Sequence, residues 1–171
     1  MGGRQGVPEA GQAVEQGTCP EPYPAPGVDP CSVAAVTSDS PTGLQVPPNC
    51  DLTLGLVCLE KEPGRTLWEM RAHERFANPT GVVQGGFVAA WCDSAMGATV
   101  VTAAAGRPVR VANTDLRTSF LRPVEVGALL RCEATIVSSG RRVAFTEATV
   151  AASDGTPLAR ASGTYLLLER R

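Results

Sequence analysis

A long segment with almost no charge lies in the middle of the chain and strongly constrains its fold. Residues 81–106 read GVVQGGFVAAWCDSAMGATVVTAAAG, and between Gln84 and Ala105 the only formal charge is Asp93. Because apolar and small residues occur on every side of this segment, a helix built from it must be buried on nearly every side. A membrane span is less favourable, since a carboxylate at the bilayer centre costs about 2.5–3.5 kcal/mol on insertion scales. The segment therefore predicts a buried helix that carries one carboxylate inside a globular protein.

The sequence on both sides of this helix predicts antiparallel strands. Residues 52–62 (LTLGLVCLEKE) and 65–76 (RTLWEMRAHERF) flank a Pro-Gly turn, and apolar and polar residues alternate in the second run. Period-two patterns with short turns return after residue 108, in VRVANTDLRTSFL, ALLRCEATIVSS, RRVAFTEATVAA and LARASGTYLLL. The sequence thus predicts an α+β fold, with one long buried helix wrapped by a curved antiparallel sheet of about six strands. The open face and edges of such a sheet favour pairing with a second copy.

The first 50 residues differ in composition from the rest. They are rich in Pro, Gly and Ser and keep neither a period of 2 nor one of 3.6. We expect a Pro/Gly-rich N-terminal arm over residues 1–50, partly flexible, followed by one domain over residues 51–171. Two alternatives stay open for the start of the arm, a disordered tail or an irregular segment that packs on the domain.

Charge and cysteine content exclude several classes of function. Lys plus Arg number 15 and Asp plus Glu 17, a balance that gives no reason to expect nucleic acid or an anionic membrane as partner. The six cysteines form no C-x-x-C pair and no secretory signal is visible, so we expect reduced thiols, no metal site and a cytoplasmic protein. The lone His73 follows a strand pattern and no G-x-S-x-G occurs, which argues against a serine-histidine triad.

Two sequence motifs resemble one known family. NPTGVVQGGFVAAWCDSAMG resembles the N-x-x-G-x-x-H-G-G-x(6)-D-x-A-x-G signature of the hotdog-fold acyl-CoA thioesterases of the phenylacetate-degradation type. TDLRTSFLRPV resembles the D-L-x-x-x-F-L-R-P strand of the same family, and residues 138–167 resemble its last two strands. The resemblance covers about residues 52–168 and departs from the family at Gln84, where relatives usually have His. The signature positions that match are Asn78, Gly81, Gly85, Gly86, Asp93, Ala95 and Gly97.

The resemblance implies hydrolysis of acyl-CoA thioesters, with Asp93 as general base or nucleophile. Gly85 at the helix start would supply a backbone N–H to the developing oxyanion, because free N–H groups and the helix dipole favour negative charge there. Gly86 would contact the substrate, and Asn113 lies where relatives place a polar residue that orients water. Asn78 would hold the thioester carbonyl or the site loop, with a simple turn-forming role before Pro79 as the alternative.

The spacing of Gly85 and Asp93 predicts a dimer. Eight residues along a helix span about 12 Å, whereas a base must come within about 3 Å of its target directly or through one water. One chain therefore does not easily supply both groups to one thioester. We expect a homodimer with shared active sites, with a dimer of dimers as a further arrangement.

Coenzyme A would enter as part of the substrate, and no separate cofactor is expected. Its phosphates would need basic residues, for which Arg122, Arg141 and Arg142 are candidates, although exposed arginines at strand ends are often only solvated. Gln84 donates hydrogen bonds but does not titrate near neutral pH, so it cannot protonate the leaving thiolate. Trp91, Phe87 and Met96 are candidates for the wall of an acyl pocket.

Two other functions compete with hydrolysis. Hotdog folds also host hydratase and dehydratase chemistry, which usually needs a His with an acidic partner, and Gln84 in place of His speaks against it. A non-catalytic acyl-CoA or acyl-carrier binding protein is the second alternative, since Gln84 weakens the catalytic set without preventing binding. The retained Asp93 favours the enzyme over the binding protein.

Overall fold

The computed structural model describes residues 47–104 and 106–169. All of these residues belong to the second of two compact units of the chain, which spans Thr37–Arg171. The predicted N-terminal arm, with Cys19 and Cys31, lies outside the described residues up to residue 46.

The described residues form one antiparallel sheet and two α-helices. The six strands lie in the order β1-β2-β4-β5-β6-β3, so that β1 and β3 are the edges. Every pairing of neighbouring strands is antiparallel. The α+β prediction of a long helix with a curved six-stranded sheet is therefore confirmed. In chain order the elements are α1 (Asn49–Leu54), β1 (Val57–Glu62), β2 (Arg65–Arg71), α2 (Gly85–Ala103), β3 (Val109–Phe120), β4 (Leu129–Ser139), β5 (Val143–Ala152) and β6 (Pro157–Glu169).

Two predicted boundaries were wrong at the start of the domain. The expected strand from residue 52 begins only at Val57, because residues up to Leu54 are helical and Gly55, at φ 69°, ends that helix. The expected strand 65–76 stops at Arg71 and is followed by a 3₁₀ turn, Glu74–Phe76. His73 starts that turn, where its Nδ1 accepts a hydrogen bond from the N–H of Arg75 at 3.0 Å.

Helix α2 packs one face onto the sheet. Its buried residues recur at the three- and four-residue spacing of a helix stripe: Val88, Trp91, Cys92, Ala95, Met96, Thr99 and Val100. The expectation of burial on nearly every side is wrong for the single chain, because one sheet covers only one side of a helix. Phe87 and Val101 are 36% and 53% exposed. In the described part of the chain, no helix is both long and apolar enough to cross a membrane.

Candidate active site

Helix α2 carries the two residues that matter most for the predicted chemistry. Gly85 is its first residue, after the extended N-cap Gln84, whose N–H donates to the carbonyl of Phe76 at 2.8 Å. Asp93 lies eight residues later, about 12 Å along the axis at 1.5 Å per residue. A single chain therefore presents the helix N-terminus and the carboxylate at separate places.

The Asp93 carboxylate is half-buried and is held by two side chains from the sheet. The Asn113 Nδ2 on β3 donates to Asp93 Oδ1 at 2.6 Å, and the Tyr165 hydroxyl on β6 donates to the same oxygen at 2.7 Å. Tyr165 also lies 3.2 Å from the Asp93 main-chain carbonyl oxygen, within hydrogen-bonding distance. Both donors thus converge on Oδ1, and no hydrogen bond to Oδ2 occurs from the residues that the structure describes.

A bulge in β3 fixes the orientation of Asn113. Its register with β6 shifts between Asn113 and Asp115, where one extra residue enters β3. The N–H of Asp115 donates to Asn113 Oδ1 at 2.8 Å, so the amide oxygen is bound locally and Nδ2 is left to point at Asp93. The family resemblance was the only basis for predicting Asn113 as a site residue. The structure places its side chain in direct contact with Asp93.

Tyr165 is a site residue that sequence reasoning missed. It is 2% exposed, and burial is the main cause that raises the pKa of its phenol above the ordinary value near 10, with a further contribution from the hydrogen bond to Asp93. The phenol therefore stays protonated and remains a donor. Gly163, Tyr165 and Leu167 alternate along β6 on its buried face, and this alternation was a signal in the sequence.

The start of α2 is closely covered by an aromatic ring. A Cβ at Gly85 would lie 2.9 Å from Phe120 Cζ, whereas a Cβ at Gly86 would meet nothing within 4 Å. Gly85 therefore gives space to Phe120, so close packing is a second reason for a glycine at this position, beside the oxyanion role. Phe120 itself is 55% exposed, so its ring forms part of the surface at the helix N-terminus.

Asn78 organises the loop before α2. Its Oδ1 accepts hydrogen bonds from the N–H and the hydroxyl of Thr80, at 2.9 and 2.6 Å. Its main-chain carbonyl accepts from the N–H of Gly81, which lies at φ 85°. These contacts favour the turn-forming alternative for Asn78. Gln84 is exposed, and its side chain makes no capping hydrogen bond.

The three candidate arginines do not lie together within one chain. Arg122 donates from Nη1 to the carbonyl of Pro157 at 2.8 Å, whereas the carbonyl of Arg142 accepts from the N–H of Leu167. The two partner residues, Pro157 and Leu167, are ten positions apart on β6, or about 33 Å along the strand at 3.3 Å per residue. Arg141 neighbours Arg142 and is exposed like the other two. A phosphate group could contact only one end of this set.

The three candidate residues for an acyl pocket have different surroundings. Trp91 and Met96 are fully buried under the sheet, and the indole Nε1 of Trp91 has no hydrogen-bond partner among the described residues. Phe87 is 36% exposed near the start of α2 and packs on Phe76 at a ring-centroid distance of 4.6 Å. Phe87 is thus the candidate that a substrate could reach without repacking the core.

Comparisons with known proteins agree with this architecture. Residues 80–159 match the family model described as the thioesterase superfamily. The TT0310 protein from Thermus thermophilus is 28% identical with a TM-score of 0.63, over 69% of this chain and 96% of that one. The PaaI protein of the E. coli phenylacetic acid degradation operon is 17% identical with a TM-score of 0.66, over 70% and 84%. The smu.793 protein from Streptococcus mutans UA159, solved bound to acetyl CoA, is 18% identical with a TM-score of 0.63, over 68% and 90%. A search of curated proteins gave no match.

The solved structures that resemble this chain define its fold class. One long helix against a six-stranded antiparallel sheet is the hotdog fold that these structures share. The segment that matches the thioesterase superfamily model contains both Gly85 and Asp93. The resemblance to hotdog-fold thioesterases that the sequence motifs predicted is confirmed.

Proposed function

We propose that the protein hydrolyses acyl-CoA thioesters to a free acid and coenzyme A. The observation that carries this proposal is the Asp93 carboxylate, which two donors hold at Oδ1 while Oδ2 accepts no hydrogen bond within the described residues. A carboxylate held in this way is suited to take a proton or to attack a carbonyl. The match of residues 80–159 to the thioesterase superfamily model supports this choice of reaction.

Two routes lead to the same products. In the first, Asp93 takes a proton from water, the water oxygen attacks the thioester carbonyl carbon, and the C–S bond breaks with its electron pair leaving on sulfur. In the second, Asp93 attacks the carbonyl itself, expels the thiolate, and water then hydrolyses the mixed anhydride. Both routes place negative charge on the carbonyl oxygen, which the free N–H groups at the start of α2 would stabilise.

The proposed site is shared between two subunits. Asp93 of one subunit and Gly85 of the partner subunit would act on one thioester, because about 12 Å separates the two residues within a chain. The long edge strand β3 and the exposed face of α2, with Phe87 and Val101, are surfaces that a second copy could cover. A homodimer is therefore part of the proposal, and a dimer of dimers is a further arrangement of it.

Coenzyme A is the proposed carrier of the acyl group. The Streptococcus mutans relative binds acetyl CoA, which supports a CoA ester as substrate for this fold. Arg122 and the Arg141–Arg142 pair are about 33 Å apart along the sheet, so phosphate binding would fall to one of these two groups. We further propose residues 51–171 as the catalytic domain, residues 1–50 as an arm, and a cytoplasmic location.

A non-catalytic acyl-CoA or acyl-carrier binding protein is the second candidate. Gln84 supports it, because an exposed amide at the helix start cannot protonate a leaving thiolate. The thiolate of coenzyme A is, however, a fairly good leaving group, so hydrolysis does not depend on a general acid at this position.

Release of free thiol from a panel of acyl-CoAs tests the proposal. The panel contains short, medium and long aliphatic chains with phenylacetyl and benzoyl esters, and binding of CoA is measured in parallel. We expect Asp93→Asn to lower kcat by at least about 100-fold, as for removal of a general base. Asp115→Asn, which removes an exposed carboxylate, should retain the wild-type rate. Tight CoA binding without thiol release from any ester would instead support the binding protein.

A further inference from the structure

The ring of Tyr165 lies in a slot between two glycines, one on α2 and one on β6. A Cβ at Gly163 would lie 2.9 Å from the Tyr165 ring carbon Cε2, and one at Gly97 would lie 3.7 Å from Cε1. Gly97 stands four residues after Asp93 on α2, and Gly163 stands two residues before Tyr165 on β6. A glycine inside a strand often marks a close approach by another group. The ring therefore needs the space at Gly163, whereas a Cβ at Gly97 would make an ordinary van der Waals contact with it.

The position of the ring directs the Tyr165 hydroxyl to one carboxylate oxygen, Oδ1 of Asp93. The Tyr165 hydroxyl donates to Asp93 Oδ1, and the Asn113 amide donates to the same oxygen. The bulge of β3 prevents the amide from turning over, since Asn113 Oδ1 is bound to the N–H of Asp115. With two donors on Oδ1, a proton on the carboxyl group must sit on Oδ2.

We propose that Tyr165 is a positioning residue that, with Asn113, engages Oδ1 of Asp93 and thereby makes Oδ2 the atom that reacts. This inference rests on the proposed thioesterase function, which assigns the chemistry to Asp93. Tyr165 does not touch the substrate in this account. It fixes the rotation of the carboxylate, because its hydroxyl and the Asn113 amide both hold Oδ1.

Tyr165 keeps its proton throughout the range in which an enzyme of this kind works. Burial and the neighbouring carboxylate raise the pKa of its phenol above its usual value. The charged or titratable side chains that act on it are Asp93 and the buried thiol of Cys92, both on α2. On the neighbouring strands, Asn113 of β3 and Ala144 of β5 pair with Tyr165 in register, and neither carries a charge.

Titration of the Asp93 carboxyl group by carbon NMR tests the proposal without requiring turnover. The protein is labelled with [γ-¹³C]aspartate, and the signal that disappears in Asp93→Asn is assigned to Asp93. In Tyr165→Phe, which keeps the ring and removes the hydroxyl, we expect the titration midpoint to rise by about one pH unit, the shift that corresponds to loss of one hydrogen bond to a charged group. An unchanged midpoint would overturn the proposal.

Thr146→Val is the matched control. The Thr146 hydroxyl is buried on β5 and donates to the carbonyl of Gly163 at 3.2 Å, beside the Tyr165 slot and without contact to Asp93. Its loss should lower the melting temperature and leave the Asp93 midpoint where it is. If Thr146→Val shifted the midpoint as much as Tyr165→Phe does, general loosening of the fold would explain both, and the proposal would be wrong.

Kinetics supply a second readout. Tyr165→Phe should lower kcat about tenfold, as expected for one hydrogen bond to a charged group, with little change in KM. The acid limb of its pH–rate profile should move up with the NMR midpoint. A lowered melting temperature together with a wild-type pH–rate profile would mean that Tyr165 has only a structural role, and the proposal would be wrong. If the wild-type protein hydrolyses no ester, the proposed function fails, whereas the NMR midpoint still decides whether Tyr165 controls Asp93.

Discussion

The ring of Phe120 fills the space that a side chain at Gly85 would need, with Cζ 2.9 Å from the position of a Cβ. Strand β3 thereby places its last residue over the first residue of α2. Gly85 thus has two possible reasons to be glycine, close packing of Phe120 and close approach of a thioester to the main chain. Substitutions can separate these two reasons.

Gly85→Ala should fold and lose activity. The atoms in conflict are the far end of a half-exposed ring that can move aside, so we expect a change in unfolding free energy within about 1 kcal/mol. The added methyl group should nevertheless hinder the thioester, and we expect kcat/KM to fall at least about tenfold, or about 1.4 kcal/mol of transition-state stabilisation. Thiol-release kinetics and urea unfolding measure the two effects separately.

The double variant Gly85→Ala/Phe120→Ala identifies the cause of that loss. Removing the ring relieves the conflict, so the double variant should be as stable as the Phe120→Ala single variant. The oxyanion role predicts that kcat/KM stays low in the double variant. Recovery to the level of Phe120→Ala would mean that Gly85 serves only to accommodate the ring.

Gln84→His should add a general acid to the reaction. Gln84 is exposed at the start of α2, so a histidine there would be accommodated without repacking. We expect kcat to rise by up to about 100-fold, the lower end of the range for a positioned acid. The gain should be largest below the ordinary histidine pKa near 6.5, where the ring carries its proton. Gln84→Asn, which cannot titrate, should keep the wild-type pH profile, and an equal gain in that variant would contradict the explanation.

Asn113→Asp should move the acid limb of the pH–rate profile upward. The Asn113 amide lies 2.6 Å from Asp93 Oδ1, and a second carboxylate at that distance would share a proton with the first. We expect a shift of more than about one pH unit, with activity recovering at higher pH. The profile of kcat/KM between pH 4 and pH 9 measures this shift. Asp115→Asn, two residues away, should leave the profile in place.

Tyr165 should make the folded state sensitive to alkaline pH. Its pKa is raised in the folded protein, so the stability it contributes is present below the unfolded value near 10 and is lost as pH rises above it. The free energy of unfolding should fall by up to about 1.4 kcal/mol per pH unit in this window. Urea unfolding at pH 8 and pH 11 measures the loss, which Tyr165→Phe should reduce. Equal losses in both proteins would rule out Tyr165 as the cause.

The sequence was sufficient for the overall architecture because its signals are local and strongly periodic. The long run around Asp93 predicted α2, and alternation predicted each strand after it. The early boundaries failed because residues 52–54 are equally compatible with a strand, and only the left-handed Gly55 ends α1 there. The exposure of Phe87 and Val101 was not predicted. The sequence pattern shows that residues are apolar, but it does not show whether the sheet covers one side of the helix or both.

The candidate site was only partly predictable. Asp93 and Gly85 followed from the motif and Asn113 from the family resemblance, but the contact between Tyr165 and Asp93 joins two residues that are 72 positions apart in sequence. Gly163, in the interior of β6, was the sequence signal for this contact that was missed, because glycine inside a strand often marks a close approach by another group. Arg122 and Arg142 contact opposite ends of β6, and their separation could not be predicted before these contacts were known.

The central claim is that each active site combines Asp93 of one subunit with Gly85 of the partner subunit. The most direct test is the activity of a heterodimer in which one subunit carries Asp93→Ala and the other carries Gly85→Ala. Two different affinity tags allow this heterodimer to be purified away from both homodimers, each of which has a defect in every site.

A shared site predicts that one of the two sites in the heterodimer is intact, since the unchanged Asp93 and the unchanged Gly85 meet there. The heterodimer should then show about half of the wild-type kcat per dimer, well above the Asp93→Ala homodimer and the Gly85→Ala homodimer, which each carry a defect in both sites. If each site were built within one chain, every site of the heterodimer would carry a defect. Activity no higher than that of the two homodimers would contradict the account.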